Sequence, residues 1–341
     1  MKNDISRSRL NWIDYAKGLG IILVVFGHVI KGLITVKLID PTFFYYSVNF
    51  VYSFHMPLFF VLSGYFFLNS FNKRGTWPFV KIKLETIAYP FVIWSIIQTV
   101  IEIKLSAYTN NHLHSDVLAS CLYIPRSQFW FLYALFFINI LNVLFFKITK
   151  KWGLLISLMV WIAYYIMPAA VHDFGKDTFE KVFVNLIYFQ TGIFLSQYAG
   201  LTKKIISNGY LFILNLIIYS CSLYIYFNYP HTAWYNEIFC QLSGCFSVFF
   251  ICEFLAQKSI LKFLEYLGIN SLAIYLVHLL AGNGCRIVLS KFLHINNSAI
   301  LIVSGVLIGL IVPLIVYNIA MKSKYTSWLF AFPAKRKPAS L

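Results

Sequence analysis

The stretch DYAKGLGIILVVFGHVIKG, residues 14–32, decides what kind of fold this chain adopts. It is long and apolar enough for a membrane-spanning helix, which needs about 20 mainly apolar residues. Yet Lys17 lies near its start and His28 lies deep inside it. Ionisable groups are unfavourable in hydrocarbon, so within a span they usually face the interior of a helix bundle or pair with one another. The stretch therefore predicts a spanning helix with one polar face.

Lys17 and His28 fall on the same face of that helix. They are eleven residues apart; at about 100° per residue the chain returns to nearly the same direction, and at about 1.5 Å per residue the separation is roughly 16 Å. That distance is similar to the reach of an extended pantetheine arm, with a phosphate-bearing head near Lys17 and a thioester near His28. The spacing leaves two other interpretations open: the Lys17 ammonium group reaches the lipid headgroups, and His28 has a packing role.

The composition of the whole chain indicates a polytopic membrane protein. Of the 341 residues, 60% are hydrophobic and 12% are charged, whereas a soluble domain usually carries about 25% charged residues. The formal net charge of +16 would suggest nucleic-acid binding in a soluble chain, but in a membrane protein basic residues first report topology. No nucleic-acid partner is expected, and membrane lipids surround the chain.

Apolar stretches of spanning length predict an all-α fold with about ten transmembrane helices. Their approximate bounds are 15 to 36, 47 to 68, 85 to 105, 128 to 147, 152 to 169, 182 to 198, 210 to 228, 236 to 255, 267 to 287 and 299 to 319.

The basic residues predict that both termini are cytoplasmic. With the N-terminus inside, 20 of the 28 basic residues fall in cytoplasmic segments, as the positive-inside rule requires. The other eight are expected outside: Lys31, Lys37, Lys104, Arg126, Lys176, Lys181, Arg286 and Lys291.

The chain is predicted to form one integral-membrane domain, 1–341, with a basic cytoplasmic tail from about 320 to 341. No loop is long enough for a second domain, and the first span has no small-residue cleavage site and is expected to remain as an anchor. The six cysteines indicate no disulfide framework and no zinc-ligand spacing, so no metal is expected.

The second span contains YSFHMPLFFVLSGYFF, residues 52–67. Pro57 is predicted to break the helix and to leave carbonyls that need protein or water partners, which indicates a polar cavity beside His55. His55 lies at a depth similar to that of His28. Ser63 and Gly64 form a small-residue patch that favours close approach of another helix.

The connection after this span, NKRGTWPFVKIKLETIAYP, residues 72–90, carries a basic cluster. Its members are Lys73, Arg74, Lys81 and Lys83. Either they form an ordinary positive-inside loop, or they dock an anionic cofactor head, because Lys and Arg are the usual phosphate partners. Glu85 and Glu102 in the third span need partners that the sequence does not identify.

The ninth span contains LGINSLAIYLVHLL, residues 267–280. Asn270 and Ser271 are typical of a helix N-terminal cap. Ser271, Tyr275 and His278 follow at i, i+4 and i+7, on one helix face, and are expected to face a polar interior. The aromatic stretch FWFLYALFF, residues 129–137, and the polar residues Asn139, Asn142, Tyr188 and Gln190 are first interpreted as packing residues.

Together these segments resemble membrane acyltransferase family 3, in particular its polysaccharide and fucose O-acetyltransferase-like branch. The segments that carry the resemblance run in order along almost the whole chain. They are IDYAKGLGIILVVFGHVI, FHMPLFFVLSGYFF, the basic segment ending in YPFVIW, FWFLYALF, YFQTGIFL and LGINSLAIYLVH. Many relatives have arginine where this chain has Lys17, so the charge is kept while bidentate phosphate recognition is lost.

The resemblance implies an O-acyltransferase of the bacterial cytoplasmic membrane. It would move an acyl group, most often acetyl from acetyl-CoA, to a hydroxyl of a surface polysaccharide or its lipid-linked precursor. His28 is then the catalytic residue, acting as general base or, in a less favoured variant, as an acyl-imidazole carrier. Lys17, Lys73, Arg74, Lys81 and Lys83 are the expected cofactor-binding residues. His55, Trp130, Tyr275 and His278 are the expected substrate-binding residues.

Two other classes of function account for part of the pattern. A transporter or exporter of a lipid-linked or polymeric glycan also places polar stripes inside a bundle, although no inverted repeat is apparent. A purely structural membrane scaffold explains neither the histidines nor the basic cluster.

Overall fold

The computed structural model describes residues 11–105, 117–149, 152–166, 179–229 and 234–332, and all regular secondary structure in these ranges is helical. This confirms the all-α class. Among the described residues, eight helical segments are long and apolar enough to cross a membrane: Asn11–Thr35, Phe44–Arg74, Thr76–Lys104, Ser127–Phe146, Gly209–Asn228, Asn236–Lys258, Ser271–Phe292 and Ser298–Lys322.

Two of the ten predicted spans are not among these eight. The span predicted at 152–169 corresponds to helix Gly153–Ile166, of which Gly153–Ala163 is a shorter apolar segment; the rest of that prediction lies outside the described residues. The span predicted at 182–198 corresponds to helix Phe179–Gln197, which is less apolar because Asn185 and Gln190 interrupt it. A total of ten spans and the cytoplasmic position of both termini stay predictions.

The first part of the described residues contains helices α1 to α8. Their bounds are α1 Asn11–Thr35, α2 Pro41–Tyr52, α3 His55–Tyr65, α4 Phe67–Arg74, α5 Thr76–Lys83, α6 Tyr89–Lys104, α7 Val117–Ser120 and α8 Trp130–Thr149. A π-helical turn, Leu84–Ala88, joins α5 to α6, and a 3-10 turn, Ser127–Phe129, precedes α8.

The second half forms helices α9 to α16. Their bounds are α9 Gly153–Ile166, α10 Phe179–Gln197, α11 Ala199–Ile206, α12 Gly209–Asn228, α13 Trp234–Lys258, α14 Lys262–Ile269, α15 Ser271–Ile287 and α16 Ser298–Lys322. A π-helical turn, Val288–Phe292, follows α15, and a 3-10 turn, Ser327–Leu329, follows α16.

Helix α1 is the central helix of the described bundle. It contacts α2, α3, α13, α14, α15 and α16, and twelve of its residues are buried along its whole length. A helix that is apolar on every side must be covered on every side, by protein or by lipid, and here protein covers it. The face that carries Lys17 and His28 therefore points into the protein.

Glycine residues bring the helix backbones into direct contact at two places. A Cβ atom at Gly18 would overlap the Leu264 carbonyl, and one at Gly268 would overlap the Asp14 carbonyl, so α1 and α14 touch backbone to backbone. The same relation joins α3 to α10, where Gly64 faces the Phe189 carbonyl. This confirms the close approach predicted at Gly64 and follows the use of small residues in membrane helix packing.

The break in the second span lies before Pro57 and not at it. Helix α2 ends at Tyr52 and α3 begins at His55, which places Pro57 in the first turn of α3, where the missing amide hydrogen is tolerated. At the break, His55 Nδ1 donates to the Val51 carbonyl at 2.7 Å. The expected need for a carbonyl partner is therefore met by the predicted site histidine itself.

Helix α15 begins at Ser271 with Asn270 at its N-cap position, as predicted, but the Asn270 side chain makes no capping hydrogen bond to α15. Asn270 Nδ2 donates to the Tyr266 carbonyl at 2.9 Å, so the side chain satisfies the last turn of α14. The last four carbonyl groups of a helix have no partner within that helix. The junction between α14 and α15 is tight, so the Asn270 side chain turns back toward one of these carbonyls in α14.

The first part of the predicted basic tail is docked on the bundle. Trp94 Nε1 donates to the Leu329 carbonyl at 2.7 Å, and Tyr89 Oη donates to the Trp328 carbonyl at 2.9 Å. Residues 333–341 lie outside the described residues. The tail thus starts from a fixed position beside α6.

The backbone contact between α1 and α14 gives a testable prediction. In Gly18→Ala or Gly268→Ala, the added methyl group meets a backbone carbonyl, and overpacking of this kind costs about 1–3 kcal/mol. We expect a lower thermal unfolding midpoint of the purified protein in detergent. Gly284→Ala in α15 is the matched control, because nothing lies within 4 Å of its added Cβ. Equal midpoints for Gly268→Ala and Gly284→Ala would contradict the contact.

Candidate active site

A cavity of about 270 Å³ opens between α1, α3, α5, α8 and α15. From α1 it is lined by Lys17, Ile21 and Val24, at i, i+4 and i+7, so they lie on the stripe that reaches His28 one turn later. Other lining residues are mostly apolar, with Ser63, Thr86, Asn139, Ser271 and Tyr275 as the polar ones besides the lysines. We call this space the inner cavity.

Two predicted cofactor-binding cations, Lys17 and Lys83, both line the inner cavity. Lys17 Nζ lies 3.0 Å from Asp14 Oδ1 and 5.0 Å from the centroid of the Phe66 ring. Lys83 Nζ lies 5.0 Å from the centroid of the Phe79 ring. These contacts hold two ammonium groups beside one cavity, which is an arrangement suited to an anionic ligand.

The rest of the predicted basic cluster does not line this cavity. Lys73, Arg74 and Lys81 are exposed, and Arg74 Nη1 donates to Ser70 Oγ at 3.1 Å. The chain reverses at Gly75, whose φ of 75° favours glycine, and α5 then continues toward α6. Because the predicted loop is mainly helical, only Lys83 turns toward the bundle interior.

A second, smaller space lies further along α1, and His28 lines it. Its lining residues come from α1, α15 and α16 and include His278, Asn283 and Arg286, and its free volume is about 10 Å³, close to that of a single water. We call this space the outer cleft, because it lies at the end of the bundle that the charge pattern predicts to be external.

The structure brings the predicted histidines together around His28. The ring centroids of His28 and His278 are 5.2 Å apart, those of His28 and Tyr52 are 6.4 Å apart, and those of Tyr52 and His55 are 4.8 Å apart. His55 thus reaches His28 through Tyr52 and not directly. His278 is the direct neighbour because α15 runs alongside α1 in the same direction.

The hydrogen bonds of His278 fix which of its ring nitrogens is free. Nδ1 donates to the Tyr275 carbonyl at 2.8 Å, so in the neutral ring Nε2 carries the lone pair. Nε2 is buried without a hydrogen-bond partner, as are Tyr52 Oη and Arg286 Nε. Buried unpaired polar atoms are rare and demand an explanation, and these three surround His28.

The predicted single track from Lys17 to His28 is interrupted. The inner cavity ends at Val24 and Tyr275, and the outer cleft begins at Val25 and His278. Tyr275 forms part of the partition, since its hydroxyl donates to the Gln128 carbonyl and its ring centroid lies 6.1 Å from that of His278. Two imidazoles therefore stand on the outer side of the partition, next to the end of the inner cavity.

Gln128 is held by a reciprocal pair of side-chain hydrogen bonds. Gln128 Nε2 donates to Gln98 Oε1 at 2.7 Å, and Gln98 Nε2 donates to Gln128 Oε1 at 3.4 Å. Beside them, Glu102 Oε2 lies 3.0 Å from Arg126 Nη2, which supplies the partner that the sequence left open. This network fixes the turn before α8 and with it the carbonyl that holds Tyr275.

Trp130 does not line the inner cavity, although the next residue does. Phe131 lines it, whereas the Trp130 ring packs on Phe60 and lies 5.4 Å from Lys181 Nζ. Among the described residues, Trp130 and His55 line neither the inner cavity nor the outer cleft, and their substrate-binding roles stay predictions.

Several polar lining residues are not among the predicted site residues, and two of them, Asn139 and Arg286, carry a buried atom without a partner. Asn139 was interpreted as packing, but it lines the inner cavity and its Oδ1 is buried without a partner. Arg286 was counted as an external charge because the predicted ninth span ends beside it. In both cases the signal was a polar residue within an apolar helix, which usually marks a functional face. No group of three or more His, Cys, Asp or Glu side chains that could hold a metal occurs among the described residues.

These features define a polytopic helical membrane protein with an imidazole pair between a cation-lined cavity and a polar cleft. Its family is shown by sequence comparison, because the sequence model of the Acyl_transf_3 family, described as an acyltransferase domain, matches residues 10–318. The chain therefore belongs to this membrane acyltransferase family. The resemblance inferred from the motifs is confirmed.

A curated relative supports the same placement. The chain is 31% identical over 184 residues to nodulation protein NolL of Sinorhizobium fredii. The match covers 52% of this chain and 48% of the relative, so the chain spans about half the length of the curated relative that it matches. No solved structure matches the chain.

The partition between the two spaces gives a second prediction. Tyr275→Phe removes the hydrogen bond that ties α15 to the Gln128 carbonyl, and the loss of one such bond costs about 1 kcal/mol. We expect a lower thermal unfolding midpoint of the purified protein. Tyr266→Phe is the control, because Tyr266 is half-exposed and its hydroxyl makes none of the hydrogen bonds of the described site. A Tyr275→Phe protein as stable as Tyr266→Phe would argue against the anchored partition.

Proposed function

We propose that the protein is an O-acyltransferase that moves an acetyl group from cytoplasmic acetyl-CoA to a hydroxyl of a surface polysaccharide or its lipid-linked precursor. The observation that carries the proposal is the position of His28 and His278, between an inner cavity that begins at two lysines and an outer cleft. Membership of the acyltransferase family supports the reaction class.

The inner cavity suits an acyl-CoA donor. Lys17 and Lys83 would hold phosphate oxygens at its mouth, and the mostly apolar walls would accept the pantetheine arm. Ser63, Thr86 and Asn139 offer hydrogen-bonding groups along the way, and the free Asn139 Oδ1 would accept from an amide N–H of the arm. The thioester would then reach the partition at Tyr275, next to His278.

The chemistry is a direct transfer with His28 as general base. His28 takes the proton of the acceptor hydroxyl while the hydroxyl oxygen attacks the thioester carbonyl. The tetrahedral intermediate collapses by breaking the carbon–sulfur bond, and the imidazolium of His28 returns the proton to the leaving thiolate. The free Nε2 of His278, which lies in the adjacent ring, would accept a proton or orient the hydroxyl.

The alternative is a two-step transfer. In it, a His28 nitrogen attacks the thioester carbonyl and displaces the CoA thiolate, and the acceptor hydroxyl then displaces the imidazole. Incubation with labelled acetyl-CoA without acceptor, followed by a rapid quench, distinguishes the routes. Label retained by the wild type and lost in His28→Ala supports the carrier, and absence of labelled protein supports direct transfer.

The acceptor and the location complete the proposal. The excess of basic residues in the predicted inner segments supports insertion in a bacterial cytoplasmic membrane with both termini inside. The outer cleft then faces the side on which surface glycans and their lipid-linked precursors are exposed. Of the predicted substrate-binding residues, His278 lines the outer cleft and is the proposed acceptor-side residue, whereas Tyr275 lines the inner cavity and His55 and Trp130 line neither space.

Glycan export is the competing function. An exporter needs a continuous passage through the bundle, whereas the outer cleft and the inner cavity have separate sets of lining residues. Deletion of the chain separates the two functions in a cell. A surface polymer that persists without ester groups supports the transferase, and loss of the polymer itself supports export.

The role of His28 is tested by substitution. His28→Ala should reduce glycan acetylation, measured by NMR of the isolated polymer, by at least about 100-fold, since a general base contributes about 10²–10⁴-fold. Membrane insertion should be unchanged. His294→Asn is the control: His294 is exposed with a φ of 54°, which asparagine tolerates, so acetylation should persist. Near-normal acetylation by His28→Ala would refute the proposed base.

The donor site is tested by substitution of Lys17. A charge-assisted contact to phosphate is worth about 1.5–3 kcal/mol, so Lys17→Met should raise the KM for acetyl-CoA about tenfold or more with a smaller change in kcat. Lys17→Arg keeps the charge and should stay near wild type. Lys258→Met, which removes an exposed lysine at the end of α13, is the matched control. Unchanged KM in Lys17→Met would exclude Lys17 from the donor site.

A further inference from the structure

Arg286 lies in the same cleft as the two imidazoles. It belongs to α15, eight residues after His278, and it lines the outer cleft together with His28, His278 and Asn283. Eight residues correspond to a rise of about 12 Å, but helical side chains lean toward the N-terminal end of their helix. This lean accords with Arg286 lining the same cleft as the imidazoles.

The guanidinium group of Arg286 has no counter-ion in the described part of the chain. The ion pairs found there join Lys17 to Asp14, Arg126 to Glu102, and Lys203 to Glu253, and the lining of the outer cleft contains no carboxylate. Arg286 Nε is buried without a hydrogen-bond partner. A partly buried cation without a partner is unfavourable, so its position calls for an anion supplied by a ligand.

A second cation adds to the positive potential at this end of the bundle. Lys31, one turn beyond His28, has its Nζ 5.8 Å from the centroid of the Tyr52 ring, and that ring neighbours His28. Asp40, the acidic residue nearest in sequence, is engaged as the cap of α2 through the Thr42 amide at 2.7 Å. The approach to His28 is thus cationic, and unpaired cations focus anionic ligands.

The three helices that line the outer cleft pack closely against one another. Val29 of α1 packs against Gly282 of α15 and Gly305 of α16, so the helices leave only a narrow cleft between them. The guanidinium group of Arg286, beside this cleft, presents a planar set of donors that matches a carboxylate or phosphate. A lysine ammonium group at the same position would lack this planar set of donors.

We propose that the acceptor is anionic, and that Arg286 binds a carboxylate or phosphate group of the sugar whose hydroxyl is placed at His28. This inference rests on the proposed function and names its substrate class, an acidic sugar or a sugar phosphate. Arg286 is a specificity-determining residue in this role, and the proton transfer stays with His28.

Ligand-induced stabilisation tests the proposal without any acyl transfer. The full chain is placed in phosphatidylcholine nanodiscs without acetyl-CoA, and its thermal unfolding midpoint is titrated with glucuronate, glucose 1-phosphate, glucose and inorganic phosphate. At least one anionic sugar should raise the midpoint in a saturable manner, and glucose should not. Stabilisation by glucuronate assigns a sugar carboxylate as the ligand, and stabilisation by glucose 1-phosphate assigns a sugar phosphate.

Three variants make the test specific to the cleft. Arg286→Gln should weaken the response to the anionic sugar at least tenfold, and Arg286→Lys, which keeps the charge, should weaken it less. Lys37→Asn is the charge-matched control beyond the end of α1: Lys37 is exposed with a φ of 58°, which asparagine tolerates. Its response should equal that of the wild type.

The outcomes that overturn the inference are distinct from those that overturn the proposed function. Equal stabilisation by glucose and the anionic sugars, equal stabilisation by inorganic phosphate and glucose 1-phosphate, or an undiminished response in both Arg286 variants would refute an anionic sugar at Arg286. His28→Ala should keep the anion response while losing acetylation. Acetylation that survives in His28→Ala would refute the proposed catalytic base and leave the anion titration unaffected.

Discussion

The backbone contact between α1 and α14 is the constraint on which the rest of the structure depends. Gly18 and Gly268 remove the two side chains that would keep the helices apart, so α14 lies directly on the first half of α1. Helix α15 begins directly after Asn270 and also contacts α1. In a membrane, where apolar side chains gain little by leaving lipid, such close packing supplies much of the specificity between helices. It also sets the register that places His278 beside His28.

Fixed register has a chemical consequence for the site. Val29 lies against Gly282 and Gly305, so α1, α15 and α16 meet with little free space, and polar atoms at their junction are shielded from water and from lipid. His278 Nε2 and Arg286 Nε are left without partners there, although their burial is unfavourable. Such groups are ready to bind a ligand without breaking existing hydrogen bonds, which is the preorganisation that catalysis and specific recognition require. The partition at Tyr275 adds a separation between the side of the lysines and the side of Arg286.

Much of the fold was predictable because helical periodicity and span length are local properties. The polar stripes of α1 and α15 were predicted from spacing, and the structure places Lys17, Ser271 and Tyr275 on one cavity. The less apolar span at 182–198 shows where length and hydropathy become ambiguous. The predictions differed from the structure where neighbouring structure determines the position of a side chain. Asn270 turns back to α14, Pro57 lies inside the first turn of α3, and the residue next to Trp130 faces the cavity. The Asn270 and Pro57 cases depend on where a local helix ends or begins, and the Trp130 case depends on how α8 packs against helices distant in sequence.

The sequence by itself determined the class of protein, its family, the helical segments and the residues that share a helix face, because composition, hydrophobic length and periodicity act within a single segment. The tertiary structure alone decided which faces meet. It selected Lys83 from the basic cluster, brought His278 and Arg286 to His28, and divided the expected track into an inner cavity and an outer cleft. The physical reason is that helix neighbours are chosen by the steric fit of glycines against distant backbone, and that fit cannot be read from one segment.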